Sequence, residues 1–452
     1  MTITLPLGEQ GVAESAGAAT TKARAGSARA FAMVAILSLI QMLNYFDRSV
    51  AGLAATDIMR EMKLTPRDYG LLASAFYSLY AISGILVGLT FSRRFRPRVI
   101  LLWLIAAWAL TQIPIFMAAS FGVLIACRAL LGAAESPSIS LCVAGSHEWF
   151  PAERRSVPTA IVMVGPLIGS VIAPPILSYI MGAHGWRAGF ATCGLLSAAM
   201  FVILLLFGRD GPDVPSPAPP AAKKPAGSGK GALAFWIDPM IIAVAMVGFC
   251  SYWVTAFVVS WLFPMLRLAF GYGQNEASWI VSGIYLLCAI MLLSFSSFSQ
   301  RLMKRGLCSR RALVWPVIFC LFACSASFLA MAAHPQGAFG LALLALGTAL
   351  VFPVSASIPI LISEVVPLHQ RNPMLVAILS FTSLSGMIGP YLTGLIVGDR
   401  GLEGYQGALL LCAGVVSIGG ILALTALHPA AAAARLAALD ARLNTEGERD
   451  AD

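Results

Sequence analysis

Residues 208–231 read GRDGPDVPSPAPPAAKKPAGSGKG, a stretch dominated by proline, alanine, glycine and serine. Such a composition cannot bury enough apolar surface to fold, so the stretch is predicted to be a linker. Six long apolar runs precede it and six follow it. A helix needs about twenty apolar residues to cross the hydrocarbon core of a bilayer. The sequence therefore predicts an all-α membrane protein in which a linker separates two sets of six transmembrane helices.

The predicted spans, numbered in chain order from span 1 to span 12, set the boundaries of the whole chain. They cover 31–55, 69–91, 98–118, 122–146, 157–181, 187–207, 238–266, 278–299, 312–332, 338–363, 374–397 and 405–427. The resulting division is a disordered N-terminal tail (1–29), a first six-helix bundle (30–207), the linker (208–234), a second bundle (235–427) and a C-terminal tail (428–452). Leucines at helical spacing after Pro429 are compatible with a short interfacial helix in the last tail.

The composition argues against a soluble enzyme. Hydrophobic residues make up 58% of the chain and charged residues 11%, and the mean hydropathy is +0.82. A soluble domain carries about a quarter charged residues, because its surface must be hydrated. The nine cysteines lie almost all in apolar runs and lack metal-ligand spacing, so we expect no metal, no cofactor and no disulfide framework. The one adjacent acid–base pair, His147 and Glu148, has no partner motif, and no enzymatic activity is expected.

The basic residues predict how the chain is oriented. With the N-terminus in the cytoplasm, 22 of the 30 lysines and arginines fall on the cytoplasmic side, six on the opposite side and two inside spans. This bias follows the positive-inside rule, so both termini are predicted to be cytoplasmic. Topology thus accounts for the net charge of +9, and no nucleic-acid partner is expected. We expect a multi-pass protein of the inner membrane that acts as a monomer within the lipid bilayer.

Four ionisable residues lie well inside predicted spans: Asp47, Arg48, Arg128 and Glu135. Each costs on the order of 2.5–3.5 kcal/mol at the middle of a membrane. They could form two ion pairs that hold helices together. Desolvation roughly offsets the attraction in a buried pair, however, and an apolar pair would hold the helices as well. The pattern therefore favours a functional site over a purely structural one.

The depths of these four residues agree. At about 1.5 Å per residue, Asp47 and Arg48 lie roughly 24 Å above the start of span 1, and Glu135 and Arg128 lie roughly 18 and 28 Å above the same face in span 4. If spans 1 and 4 are neighbours, all four share the layer where transporters bind substrate.

The chemistry of the two residue types indicates their roles. Arginine stays charged and binds carboxylates with a bidentate fork, so Arg48 and Arg128 predict an anionic substrate. A carboxylate beside them in a low dielectric can load and release a proton, which makes Asp47 and Glu135 the candidate proton carriers.

Further polar residues are candidates for lining a substrate cavity. Gln41, Asn44 and Tyr45 share a helical face with Arg48 in span 1. Tyr80 in span 2 and Tyr252 in span 7 are weaker candidates, because aromatic residues in membranes more often pack or anchor at the interface.

Several segments carry a resemblance to a known family. They are NYFDRSV at 44–50, RALLGAAESP at 128–137, EWFPAERR at 148–155, GSVIAPPILSYI at 169–180, GWRAGF at 185–190 and, more weakly, WLFP at 261–264. With Asp-Arg in span 1 and Arg-x6-Glu in span 4, the chain resembles the major facilitator superfamily and, within it, the anion:cation symporters. The resemblance implies two six-helix bundles around a cavity, alternating access and proton-driven uptake of sugar acids or other organic anions. It also implies that Asp47 and Glu135 form the protonation pair, that Arg48 and Arg128 contact or organise the anion, and that Tyr80 lines the cavity.

Two departures from the family pattern concern gating and substrate. The loop GLTFSRRFRPR at 88–98 keeps Gly88 and Arg93 of the superfamily's gating motif, but Ser92 replaces its acid. In span 11, Ser383 stands where sugar-acid transporters tend to have asparagine. The second change makes a less polar acid, such as an aromatic or short-chain carboxylate, an alternative to a sugar acid.

The predicted function is therefore proton-coupled import of a small organic anion. Exchange, efflux or facilitated diffusion on the same fold are the nearest alternatives. A membrane receptor or channel is a more distant one, since the sequence has neither rings of identical charge nor a filter loop.

Overall fold

The computed structural model describes residues 8–91, 94–118, 120–212, 235–334 and 337–449. Within these ranges, twelve helical segments are long and apolar enough to cross a membrane, which confirms the predicted number of spans. In order, spans 1 to 12 are Ala28–Met62, Pro66–Gly88, Pro97–Met117, Phe121–His147, Ser156–His184, Trp186–Phe207, Pro239–Leu268, Gln274–Lys304, Arg310–Ala333, Gly337–Val365, Leu368–Val397 and Leu402–Ala426. Most of the predicted linker, 213–234, lies outside the described residues.

The chain ends differ in part from expectation. Span 1 belongs to a longer helix, Gly8–Met62, which begins inside the tail for which disorder was predicted. Alanine-rich sequence has a high intrinsic helix propensity, and this offsets the low hydrophobicity of the segment. At the other end, helix Pro429–Arg449 follows span 12 and packs against span 10 through buried Ala432 and Leu436.

Two spans of the first half are each built from two helices. Span 2 consists of Pro66–Ser78 and Tyr80–Leu89, and span 4 consists of Phe121–Glu135 and Ser138–His147. In span 4 the break falls at Ser136 and Pro137, because proline has no N–H to donate to the preceding turn. Span 9 opens with a π-helical turn, Arg310–Val314, before helix Trp315–Ala333, and a short 3₁₀ turn, Ala152–Arg154, precedes span 5.

The two halves of the chain repeat one pattern of helix packing. In the first half, span 1 packs on span 5, span 2 on span 4 and span 3 on span 6. In the second half, span 7 packs on span 11, span 8 on span 10 and span 9 on span 12. The halves meet through span 1 with span 7, span 2 with span 11 and span 5 with span 8. Such a repeat of helix contacts is expected of two equivalent bundles related by a pseudo-twofold axis.

Because the number of spans is even, span 1 begins and span 12 ends on the same face, which we call the terminal side; the opposite face is the far side. One continuous cluster of buried apolar residues joins the second half to the far-side part of the first half, from Phe46 to Met59 in span 1. The first-half residues nearer the terminal side, such as Leu37 and Trp108, form a separate cluster whose buried members all belong to that half. The halves are thus closed against each other on the far side.

Close contacts at the far side form a seal between the halves. At Gly52 any Cβ would collide with the carbonyl oxygen of Val259, so spans 1 and 7 touch backbone to backbone. The Tyr69 hydroxyl in span 2 donates to the Ser260 carbonyl across the same interface at 2.8 Å. Arg267 of span 7 donates to the Thr56 hydroxyl at 3.0 Å.

Candidate functional site

The structure brings the four predicted mid-span charges together. Arg48 Nη2 in span 1 lies 3.6 Å from Glu135 Oε2 in span 4. Arg128 Nη1 in span 4 donates to the backbone carbonyl of Asp47 at 3.2 Å. Asp47 and Glu135 are each 1% exposed and Arg128 is 4% exposed, so the group is buried. Spans 1 and 4 are therefore neighbours, which was the condition for the four charges to share one layer.

An aromatic residue of span 2 contacts both arginines. The Arg128 Cζ atom is 4.8 Å from the centre of the Phe76 ring, and the Arg48 Cζ atom is 5.5 Å from it. Spans 2 and 4 approach at backbone distance here, because Gly132 has no side chain. A Cβ at Gly132 would overlap the Phe76 carbonyl oxygen. Both guanidinium groups thus lie within the distance typical of cation–π contacts with the Phe76 ring.

The Asp47 carboxylate is held by two residues that the sequence analysis did not identify. Gln112 Nε2 in span 3 donates to Oδ1 at 3.0 Å, and Ser197 Oγ in span 6 donates to Oδ2 at 3.3 Å. Both donors are buried. The signal that could have found Gln112 is an amide in the middle of an otherwise apolar span, the same signal that identified the charges.

The surroundings of Glu135 differ from those of Asp47. Neither carboxylate oxygen of Glu135 accepts a hydrogen bond from another described residue, although both are fully buried. The ion pair with Arg48 at 3.6 Å is longer than a hydrogen bond. Glu135 is also the last residue of its helix, directly before the break in span 4. One acid is therefore firmly hydrogen-bonded while the other is loosely paired.

Next to these charges, a cavity of about 250 Å³ lies between the two halves, and none of its described lining residues is charged. Tyr80, Tyr252 and Ser383 line this common space, together with residues that the sequence alone did not single out. The full lining is Tyr80, Gly248, Ser251, Tyr252, Ser355, Ile358, Leu379, Thr382 and Ser383. Tyr80 connects this space to the charges, because its hydroxyl accepts from Arg48 Nη2 at 3.3 Å.

A second, water-sized space of about 10 Å³ lies between the cavity and the far-side seal. Arg48 and Arg128 line it together with Tyr77, Val259 and others. Tyr77 separates it from the cavity, since its ring packs edge-on against Tyr252 at 5.9 Å between centroids. In this conformation the arginines face a closed chamber, and the hydroxyl-lined cavity lies on its terminal side.

The remaining predicted residues take other positions. Gln41 is buried and donates to the Cys142 sulfur at 3.2 Å, so it joins spans 1 and 4 and is not among the residues that line the cavity. The Asn44 amide nitrogen is buried and donates to no described residue. Tyr45 packs under Arg48, with 5.0 Å between the guanidinium carbon and the ring centre.

Of the predicted gating loop, Gly88 lies exposed at the end of span 2, whereas Ser92 and Arg93 lie outside the described residues. Within the described ranges, no group of three or more histidine, cysteine, aspartate or glutamate residues has the geometry to hold a metal ion.

Comparison with known proteins agrees with this architecture. A sequence model described as Major Facilitator Superfamily matches residues 37–372 and 250–441. The hexuronate transporter of Bacillus subtilis (strain 168) is 25% identical over 407 residues, which cover 88% of this chain and 94% of that protein. The probable L-galactonate transporter of Escherichia coli (strain K12) is 26% identical over 403 residues, which cover 85% of this chain and 86% of that protein.

Among solved structures, the fold is similar to that of a bacterial homolog of the human lysosomal transporter Spinster, determined in an inward-facing and occupied conformation. The TM-score is 0.75 at 18% sequence identity, and the match covers 88% of this chain and 96% of that chain. This similarity confirms the predicted fold of two six-helix bundles.

Proposed function

This chain belongs to the Major Facilitator Superfamily, and we propose that it imports an organic anion together with protons by alternating access. It is a transporter and not an enzyme. The observation that carries the proposal is the buried network of Asp47, Arg48, Arg128 and Glu135 beside an uncharged cavity between the halves. A net-neutral group of four charges gains little stability from burial, so its retention argues for a working site.

Arg48 and Arg128 are the proposed anion contacts. Both guanidinium groups line the same small chamber, and each offers a fork that can bind a carboxylate. Tyr80 would add a third contact, because its hydroxyl accepts from Arg48 and keeps its own hydrogen for an anion in the cavity. The names of the hexuronate and galactonate transporters support a sugar acid as the anion.

Glu135 and Asp47 are the proposed proton carriers, and their surroundings suggest different tasks. Glu135 competes with a substrate carboxylate for Arg48, since the ion pair between them is long and the acid has no other described partner. Protonation of Glu135 would release Arg48 to bind the anion, which couples the two ligands. Asp47, held by Gln112 and Ser197, would keep Arg128 in place through its backbone carbonyl.

We further propose that the terminal side faces the cytoplasm of a bacterial inner membrane. The distribution of 22 basic residues on that side and six on the other supports this orientation. The far-side seal would then close the transporter toward the outside, and the hydroxyl-lined cavity would lie on the cytoplasmic side of the chamber. Each bundle would act as a rigid body within a monomer.

Uptake into proteoliposomes tests the proposal. The purified protein would be reconstituted and given radiolabelled D-glucuronate or L-galactonate, with an inward proton gradient and with the gradient collapsed by an ionophore. We expect accumulation above the external concentration only with the gradient, together with alkalinisation of the external medium. Equal accumulation with and without the gradient would contradict proton symport and favour exchange or facilitated diffusion.

A further inference from the structure

The cavity has a chemical polarity that bears on which anions it accepts. Its serine and threonine hydroxyls use their hydrogens within their own helices. Ser251 donates to the Gly248 carbonyl at 2.9 Å, Thr382 to the Leu379 carbonyl at 2.7 Å and Ser383 to the Ser380 carbonyl at 2.7 Å. The hydroxyls therefore present oxygen lone pairs to the cavity.

The hydrogen of the fourth hydroxyl, that of Ser355, is also engaged, but by a residue of another helix. Ser355 and Ser251 lie 3.2 Å apart, oxygen to oxygen. Since the Ser251 hydrogen is already directed to a backbone carbonyl, Ser355 is the donor in this pair. Apart from Tyr252, the second-half wall of the cavity is thus a surface of acceptors and apolar groups.

Hydrogen-bond donors are concentrated at the opposite end. The two phenol hydroxyls that line the cavity belong to Tyr80 and Tyr252, and both rings pack around Tyr77, at 6.1 and 5.9 Å between centroids. Arg48 stands directly behind Tyr80. The hydrogen-bond donors and the positive charge therefore lie at the end of the cavity next to the closed chamber that Arg48 and Arg128 line.

The charged residues around the cavity are distributed in the same direction as the hydrogen-bond donors. None of the described residues lining the cavity carries a charge. Span 7 has one arginine, Arg267, and span 11 has one, Arg371, and both stand near the ends of their spans in the sequence. Span 10 has neither arginine nor lysine. A negative group placed against the second-half wall would meet no cation there.

We propose that this cavity accepts organic acids with one carboxylate and rejects dicarboxylates, and that Ser251, Ser355, Thr382 and Ser383 determine this choice. This inference rests on the proposed function. One carboxylate binds at the arginine end, and hydroxyl groups at the distal end of the substrate donate to the serine and threonine oxygens. A second carboxylate at the distal end can only accept hydrogen bonds. It therefore either breaks the hydrogen bonds from the serine and threonine hydroxyls to their helix carbonyls or stays unpaired in a buried site.

Matched pairs of acids test the inference, because each pair differs mainly in the second carboxylate. Suitable pairs are gluconate with glucarate, galactonate with galactarate, threonate with tartrate, and benzoate with terephthalate, all at pH 7.5 on the purified full chain. Thermal-shift titration gives an apparent affinity for each acid. We expect the monocarboxylate of any binding pair to bind about 100-fold or more tightly than its partner, as an uncompensated buried charge requires.

A variant that adds the missing cation sharpens the test. Ser355 is only partly buried and lines the cavity, so Ser355→Lys places an ammonium group on the second-half wall. We expect the ratio of dicarboxylate to monocarboxylate affinity to rise at least about tenfold, because the added charge pairs with the second carboxylate. Ser363→Lys is the matched control, since Ser363 lies two turns along the same span, is exposed and bonds the Ile360 carbonyl outside the cavity. Its ratio should equal that of the wild type.

The outcomes separate the two proposals. Tighter binding of the dicarboxylate in any pair by the wild-type protein overturns the inference and leaves organic-anion transport intact. An unchanged ratio in Ser355→Lys, with monocarboxylate binding retained, overturns the role assigned to this wall. Stabilisation by none of the eight acids contradicts the proposed function itself, and the inference fails with it.

Discussion

The two halves contribute opposite chemistry to the site, and we call their contributions the charged wall and the uncharged wall. In the first half, spans 1, 2 and 4 present two arginines, two acids and the ring of Phe76. In the second half, spans 7, 10 and 11 present hydroxyls and aliphatic side chains with no charge among the described lining residues. The halves share one packing pattern, so the opposite chemistry comes from the side chains that each presents. Under the proposed function, the first half would bind the carboxylate and the protons, and the second half would bind the rest of the substrate.

The largest test of this contrast removes the fork of one arginine while keeping its charge. In Arg128→Lys the ammonium group cannot both contact the Asp47 carbonyl and remain available to a carboxylate. We expect counterflow of labelled glucuronate to fall at least about 100-fold, as for breaking a buried charged contact.

Arg187→Lys is the matched control, because Arg187 also packs on an aromatic ring, Trp186 at 4.3 Å, but at the far-side end of span 6. It should transport at nearly the wild-type rate. Full activity in Arg128→Lys would remove charge recognition from the first half.

The second test separates coupling from binding within the charged wall. Glu135→Gln keeps the shape of the side chain but cannot exchange a proton, and Asp47→Asn does the same for the other acid. Both variants should lose gradient-driven accumulation, while at least one retains counterflow exchange, because the arginines are still present. The measurement is the accumulation ratio with and without a proton gradient.

Glu61→Gln provides the comparison for this pair, since Glu61 bonds Arg187 and Trp186 at the far-side end of span 1. Its accumulation should match the wild type. Proton coupling that survives in the double variant Asp47→Asn, Glu135→Gln would show that the protons travel elsewhere.

The third test addresses the uncharged wall. Thr382→Val and Ser383→Ala each remove an acceptor oxygen from the cavity while leaving the charges untouched. We expect KM for glucuronate to rise about 3- to 10-fold, the scale of a single neutral hydrogen bond, with no change in the number of protons per substrate. A changed number of protons per substrate would show that the uncharged wall also takes part in proton coupling.

The smallest effect is expected where the two halves meet at the far side. Tyr69→Phe deletes one hydrogen bond to the Ser260 carbonyl, worth about 1 kcal/mol, so the far-side seal should open about five times more often. Labelling of a cysteine placed at Ser260 by a membrane-impermeant maleimide, added at the far side, reports the opening.

Tyr405→Phe is the control for that measurement, because Tyr405 packs on the same Trp261 as Tyr69 but its buried hydroxyl has no described partner. Its labelling rate should not change. Equal acceleration in both variants would indicate loosened packing instead of a lost contact between the halves.

The charged wall was predictable from sequence, and the uncharged wall was not. A charge inside an apolar run is conspicuous because few forces other than function retain it there, and the rise per residue gives its depth. Arg48 and Glu135 were therefore expected in one layer, and the structure places them 3.6 Å apart. Serine and threonine give no comparable signal, since they are common in membrane helices and bond to their own backbone.

What sequence could not supply is the rotation of each helix about its axis. Depth places Ser355 and Thr382 near the middle of their spans, but only the packing of spans 7, 10 and 11 turns both toward Tyr80. The same limit hid Gln112 and Ser197, whose shared partner Asp47 lies on a third helix. Gly132 was readable as small but not as the point where spans 2 and 4 touch.

The repeated packing pattern has a consequence for how such a protein can change over generations. Substitutions in spans 7, 10 and 11 can alter the pocket without removing a partner of the four charges. Among the described residues, the hydrogen bonds and ion pairs of these charges lie within spans 1, 3, 4 and 6 and reach Tyr80 in span 2. If the chain couples transport to protons as proposed, changes in selectivity would leave the coupling residues intact. A duplicated gene copy could drift toward a new nutrient through its second half while its first half stays under purifying selection, and directed evolution of this scaffold should begin with the hydroxyl-bearing positions.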